Sequence, residues 1–212
     1  MVEFAFLLII LLFVLQGVVL VYLLTAKKQR LDSEEEKERY YQNWFPSFYA
    51  YLLSNSGTKP EVDAPARIYV PVIEGILNHL IDHEYESIDK KRLQAVTHFY
   101  LVPSYRLYLK HGSWSQRVNT LYFIEEFSII ELKNDVWIHF HHLTASDEEY
   151  RQALRTLASF HDERLIPILL QSHQLSQRMI KELLRKIPIS VIRQLMDAME
   201  NNKERLPHQL QL

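Results

Sequence analysis

Two segments decide the fold: SWSQRVNTLYFIEEF at 113–127 and SDEEYRQALRTLASF at 146–160. Each opens on a capping-box pattern, Ser113-Trp114-Ser115-Gln116 and Ser146-Asp147-Glu148-Glu149. There the serine oxygen accepts from an early backbone N–H and the third side chain reaches back to the cap. Apolar residues then follow at helical spacing, Leu121, Ile124 and Phe127 in the first segment and Leu154, Leu157 and Phe160 in the second. Corresponding residues lie 33 apart, a period that belongs to helix-pair repeats. The sequence therefore predicts an internal repeat in which stacked helix pairs share one core.

Working outward, the second helix of the first unit is expected over Leu132 to Leu143, and that of the next over Glu163 to Leu170 with Asp162 as its cap. A third, degenerate unit follows. Ser176 caps Met179 to Ile187, and after Pro188 comes a last helix through Ile189, Val191, Ile192, Leu195 and Met199. Upstream, Ile68, Val72, Ile73, Ile76, Leu77 and Leu80 recur at spacings of three and four, the mark of one buried helix face. The loop chemistry of SNSGTKPEVDAP, 54–65, places a turn before it. Ser87 is placed to cap a helix from Ile88 towards Leu109, which Pro103 should break or kink. The rings of Tyr40, Tyr41, Trp44, Phe45, Phe48, Tyr49 and Tyr51 are expected to pack as the first helix of the domain, with an aromatic surface for a partner as the alternative, and Pro46 is tolerated at a helix start or as a kink.

Ahead of this lies Phe4 to Ala26, almost unbroken hydrocarbon that stops at Lys27, Lys28 and Arg30. Roughly 20 apolar residues at ~1.5 Å each cross a ~30 Å hydrocarbon core, so the run predicts a transmembrane anchor. A cleavable signal peptide would need a basic start, a shorter apolar core and a small-residue cleavage site, and none is present. Lys27, Lys28 and Arg30 act as the stop signal, and positive charge near a span is retained in the cytoplasm. The N-terminus is therefore expected outside a cell membrane and the C-terminal part in the cytoplasm. The resulting division is an anchor at 1–26, a charged stalk at 27–39, an N-terminal helical part at 40–112 and repeats at 113–212.

Composition narrows the function. Among 212 residues there is no cysteine, which removes disulfides, thiolate zinc sites and thiol nucleophiles. A formal net charge of -2 gives no global basic field, so a nucleic-acid partner is disfavoured. With 4 glycines and neither GxGxxG nor GxxxxGK[ST], phosphate-cradling loops and turn-rich sheets are disfavoured too, and the chain reads as all-α.

Histidine is enriched, at 10 residues, and densest around Asp135, His139 and His142. At i, i+4 and i+7 these three share a helix face with donor types suited to zinc or iron, but no HExxH glutamate accompanies them, and packing or surface roles fit them as well. His79 and His83 form a second i, i+4 pair. Glu125-Glu126 reads as a solvated ridge or the inner edge of a repeat pair. Serines sit at caps, no GxSxG elbow exists, and no catalytic constellation emerges. Two basic patches remain as interaction candidates: Lys90, Lys91 and Arg92, and Arg178, Lys181, Arg185, Lys186 and Arg193. Near an anionic leaflet such residues gain ~1 kcal/mol each. Tyr100, Tyr105, Arg106, Tyr108 and Lys110 mix rings and charge as interfaces do.

On residues 117–124 with Phe127, residues 150–158 with Phe160, and Asp162 to Ile166, the chain resembles the HEAT-like family of helical repeats over about 114–200. The resemblance implies an α-solenoid. One N-terminal span before such repeats is similar to a class of small bacterial membrane proteins that accompany membrane glycosyltransferases in polysaccharide export. Stacked helix pairs leave an extended groove suited to protein binding and tethering concentrates membrane partners, so a non-enzymatic scaffold without cofactor that docks a membrane protein is expected, and the resemblance adds a glycosyltransferase as candidate partner. Two rivals are a metal-dependent enzyme using His139 and His142, and a sensor of anionic lipid surfaces.

Overall fold

The computed structural model describes residues 2–54, 57–144, 147–171, 175–190, 192, 193 and 196, and among them every regular element is helical. The fold is all-α: one long apolar N-terminal helix leads into a series of shorter ones.

Helix α1, Val2–Leu53, spans 52 residues without interruption. At ~1.5 Å per residue it is ~78 Å long. The segments expected as anchor, stalk and first domain helix are thus one element. Its side chains from Ile10 to Leu31 are exposed, and the stretch is long and apolar enough to cross a membrane. Its far end buries Trp44, Phe48 and Leu52, spaced i, i+4, i+8. Pro46 neither starts nor ends the helix. It lies on the exposed side, where the carbonyl freed four residues back meets water. Past the turn, where Gly57 takes φ 93°, comes α2, Ala66–Glu84. Its predicted face is buried at all six positions, and α2 packs along α1.

The next segment corrects one expectation and bears out another. Ser87 closes a short 3-10 turn, Tyr85–Ser87, while the cap of α3, Lys90–Val96, is Asp89, whose carboxylate accepts from the N–H of Lys91 and Arg92. Asp is as good a cap as Ser, and only here does the backbone leave the helix. As expected, the α-helix is interrupted before Pro103, which stands in the first turn of the following helix. A π turn, Thr97–Leu101, joins α3 directly to α4, Val102–His111, with the Val102 N–H reaching back five residues to the Thr97 carbonyl. The extra residue accommodates the proline ring that would otherwise strike the preceding turn.

The repeat region follows its 33-residue register. Helix α5 is Trp114–Glu126, opened by Ser113 with both capping-box bonds formed. Helix α7 is Glu148–Ser159, capped by Asp147, which accepts from the Glu149 N–H; the predicted cap Ser146 lies outside the described residues. Leu121, Ile124 and Phe127 are buried, and so are Leu154, Leu157 and Phe160. The second helices are shorter than expected: α6 is Lys133–Phe140, after a 3-10 turn at Ile130–Leu132, and α8 is Leu165–Gln171. Asp162 accepts from the backbone and guanidinium of Arg164. Ser176 caps α9, Gln177–Lys186, accepting from the Met179 N–H. In the last predicted helix, Ile189 and Ile192 are helical, Ile189 is exposed, and Val191, Leu195 and Met199 lie outside the described residues.

Helices α5, α7 and α9 lie side by side as one layer. Thr156 Oγ1 donates to the Leu121 carbonyl at 3.0 Å across the first contact, and Arg155 Nε to Glu182 at 2.8 Å across the second. Helix α4 packs on α5 and α6, and the turn before α8 reaches α6 through Lys133–Asp162 and Arg164–Asn134 contacts. The buried apolar residues of these helices belong to one continuous core.

Candidate functional site

The most developed site grows from one buried carboxylate. Glu149 stands in the first turn of α7 with no exposed surface. A lone buried carboxylate costs several kcal/mol, so it must be paired and fully hydrogen-bonded. Arg117, one turn into α5, supplies a fork: Nε donates to Oε1 at 2.6 Å and Nη2 to Oε2 at 2.8 Å. His139 of α6 adds Nε2 at 2.6 Å from Oε1. Burial pushes the Glu149 carboxyl upward, but the Arg117 and His139 hydrogen bonds and charges outweigh it and hold it below the ordinary carboxylate range. The same hydrogen bond raises Arg117. The remaining Arg117 arm donates from Nη1 to the Gly112 carbonyl at 2.8 Å. Three helices are thereby pinned at one point.

On the solvent side of this knot, a cleft of about 560 Å³ opens between α4, the start of α5 and α6. Arg106, Lys110, His111, Arg117, His139 and His142 line it together with Asp135, over an apolar wall of Leu109, Ile138 and Leu143. Arg106 is held in place by Glu131, at 3.2 Å from Nη2, and by Asp135, at 3.3 Å from Nε.

This placement decides how the predicted histidine triad is used. Asp135, His139 and His142 do line one cleft, but Asp135 faces Arg106 and His139 faces Glu149. Among the described residues, no three His, Asp or Glu side chains converge as metal ligands. His79 and His83 stack ring on ring at 4.4 Å, and His83 Nδ1 donates to the His79 carbonyl at 2.8 Å.

The basic patches separate. Of the C-terminal set, Arg178, Lys181 and Arg185 are exposed along one face of α9 at i, i+3 and i+7, whereas Lys186 turns inward to pair with Glu125. Arg193 is exposed beyond them. Arg92 is absorbed structurally, donating to the Tyr51 carbonyl at 2.8 Å. Glu125, rather than lying on a solvated ridge, also accepts from Gln152 at 3.0 Å, on the inner edge between repeats. Lys27, Lys28 and Arg30 are exposed on α1 where the apolar run ends.

Sequence reasoning missed two things. Glu149 was read as a reaching-back cap partner, whereas its side chain crosses to the preceding unit. Glu74 on α2 was not singled out at all. It accepts from Tyr105, a fully buried tyrosine of α4, at 2.8 Å. Burial raises the Glu74 carboxyl to about 7, with the Tyr105 hydrogen bond opposing in part. The only signal was an acid inside an otherwise apolar helical face.

No protein-family model, no curated protein and no solved structure matches this chain. The functional reading rests on the fold and these sites.

Proposed function

We propose that the chain is a non-enzymatic adaptor, anchored by one membrane span, whose helical domain docks a membrane protein complex. The carrying observation is the unbroken α1, whose unpacked apolar half continues directly into Trp44, Phe48 and Leu52 of the core. A rigid link of this kind presents a binding surface at fixed height, and confinement to the bilayer raises the effective concentration of membrane partners. Lys27, Lys28 and Arg30 support a cytoplasmic domain and an outward N-terminal side. The HEAT-like reading is supported by the 33-residue register, and stacked helix pairs offer extended surfaces suited to protein partners. A glycan-synthesis glycosyltransferase is the specific candidate partner, on the resemblance alone.

The absence of cysteine gives a direct test of topology. Single cysteines in place of Glu3 and of Ser115 should be labelled by a membrane-impermeant maleimide from outside and only after permeabilisation, respectively. Labelling of the Ser115 position in intact cells would overturn the orientation. Crosslinking in native membranes followed by mass spectrometry should recover an integral membrane protein; recovery of soluble proteins alone would overturn the adaptor reading.

A second reading is favoured by the outward row of Arg178, Lys181 and Arg185, none of which has an ion-pair partner among the described residues. A sensor of anionic lipid would bind acidic vesicles through that row and release them in high salt.

A further inference from the structure

The cleft between α4, α5 and α6 has donors with nothing to donate to. Lys110, His111 and His142 line one cavity from two sides, and among the described residues none of their side chains has a hydrogen-bond or ion-pair partner. The other charges around them are engaged: Arg106 is shared between Glu131 and Asp135, and Arg117 is paired with Glu149. Those pairs fix the walls without consuming the three free groups. Lys110, His111 and His142 are exposed, so ordering their side chains on binding offsets part of what their new contacts gain. We propose that this cleft binds a phosphoryl group carried on a small apolar body.

Three observations select that class. The free donors come from the end of α4 and from the turn after α6, so they approach from separate directions. A phosphoryl group presents three terminal oxygens to such an array, whereas a carboxylate presents two. The cleft volume of about 560 Å³ exceeds what a bare inorganic anion fills and lies in the ordinary range of organic-ligand pockets, roughly 300–1,000 Å³. The remaining wall is apolar, with Leu109, Leu143 and Ile138, the last 62% exposed and open to cover by a ligand. This inference is independent of the adaptor reading. A phosphorylated metabolite and the head of a phospholipid share the required chemistry.

The test uses the full chain in detergent micelles, titrated calorimetrically with phenyl phosphate, inorganic phosphate, pyrophosphate and short-chain phosphatidic acid, with benzyl alcohol as the uncharged comparison. Saturable binding of phenyl phosphate or phosphatidic acid, tighter than inorganic phosphate, is expected; a preference for phosphatidic acid assigns a lipid source and a preference for phenyl phosphate a soluble one, whereas pyrophosphate binding tighter than either overturns the apolar-body assignment. Joint Lys110→Ala and His142→Ala should weaken binding about tenfold or more, the loss of charge-assisted hydrogen bonds. Lys181→Ala, an equal change of charge on α9, should leave it unchanged. If the double variant loses its helical circular dichroism, His142→Gln alone replaces it, with weakened binding again expected. No saturable binding of any phosphoryl probe, or binding indifferent to Lys110 and His142, overturns the proposal.

Discussion

Ser128 and His161, 33 residues apart, both hold left-handed backbone, at φ 50° and 53°. Each follows the phenylalanine that ends a repeat helix. Around both the same two bonds close the helix: Ser128 N–H to Glu125 and Ile129 N–H to Ile124, then His161 N–H to Ala158 and Asp162 N–H to Leu157. The longer bond of each pair spans five residues, as in a Schellman closure. The two units therefore share backbone stops as well as core positions, which no apolar pattern alone requires.

Those stops are occupied by residues with a Cβ, which pay about 1–2 kcal/mol for the left-handed region that glycine adopts freely. Ser128→Gly and His161→Gly should each stabilise the fold, by up to about 1 kcal/mol once glycine's greater unfolded-state entropy is counted. Chemical denaturation followed by helical circular dichroism checks this. Valine at either position should destabilise.

The Glu149 knot is a buried ion pair whose single cuts leave a charge unmatched. Glu149→Ala or Arg117→Ala should each cost about 3–5 kcal/mol, and joint Arg117→Met with Glu149→Leu clearly less than their sum. The carboxyl is depressed in the folded state, so its contribution is present above the unfolded value of about 4.3 and is lost as pH falls through the folded value. Unfolding curves of wild type and Glu149→Gln should converge in acid and separate above that range.

Glu74 runs the other way. Its folded value of about 7 lies above the unfolded one, so the folded state binds the extra proton and stability falls as pH rises between about 4.5 and 7. Glu74→Gln should be nearly neutral at pH 4 and stabilising at pH 8, on the order of 3 kcal/mol at most. Tyr105→Phe removes the opposing hydrogen bond and should raise the carboxyl further. Stability measured at the two pH values separates these outcomes.

How much of this was legible depends on whether the signal was periodic. The 33-residue register, the α2 face and the Ser113 and Ser176 caps rest on local spacing and stand in the structure. Pro103 correctly marked an interruption, but that it takes the form of a π turn at Thr97–Leu101 is a property of the whole α3–α4 segment and was not legible. Asp89 was overlooked beside Ser87, since two good caps two residues apart cannot be ranked by chemistry alone. The Glu149 knot joins residues 32 and 10 apart in sequence across three helices. Such pairing leaves no trace in composition or period. The triad of Asp135, His139 and His142 shows the reverse: the three line one cleft although α6 ends before His142, while Arg106 and Glu149, the partners of Asp135 and His139, came from elsewhere.

The continuity of α1 yields a phase test of the adaptor reading. Each inserted residue turns a helix by about 100° and lengthens it by ~1.5 Å, so two alanines between Ser33 and Glu34 rotate the domain by about 200° for a lift of only ~3 Å. Seven residues restore the face to within about 20° while lifting it ~10 Å. If the domain docks through one face at a membrane partner, the two-residue insertion should abolish the crosslink and the seven-residue insertion should retain most of it. Helix-breaking Gly-Gly at the same point should give intermediate yield, because either face can then swing round. Equal yields from all three chains would mean that α1 transmits no orientation, and the rigid link would lose its functional meaning.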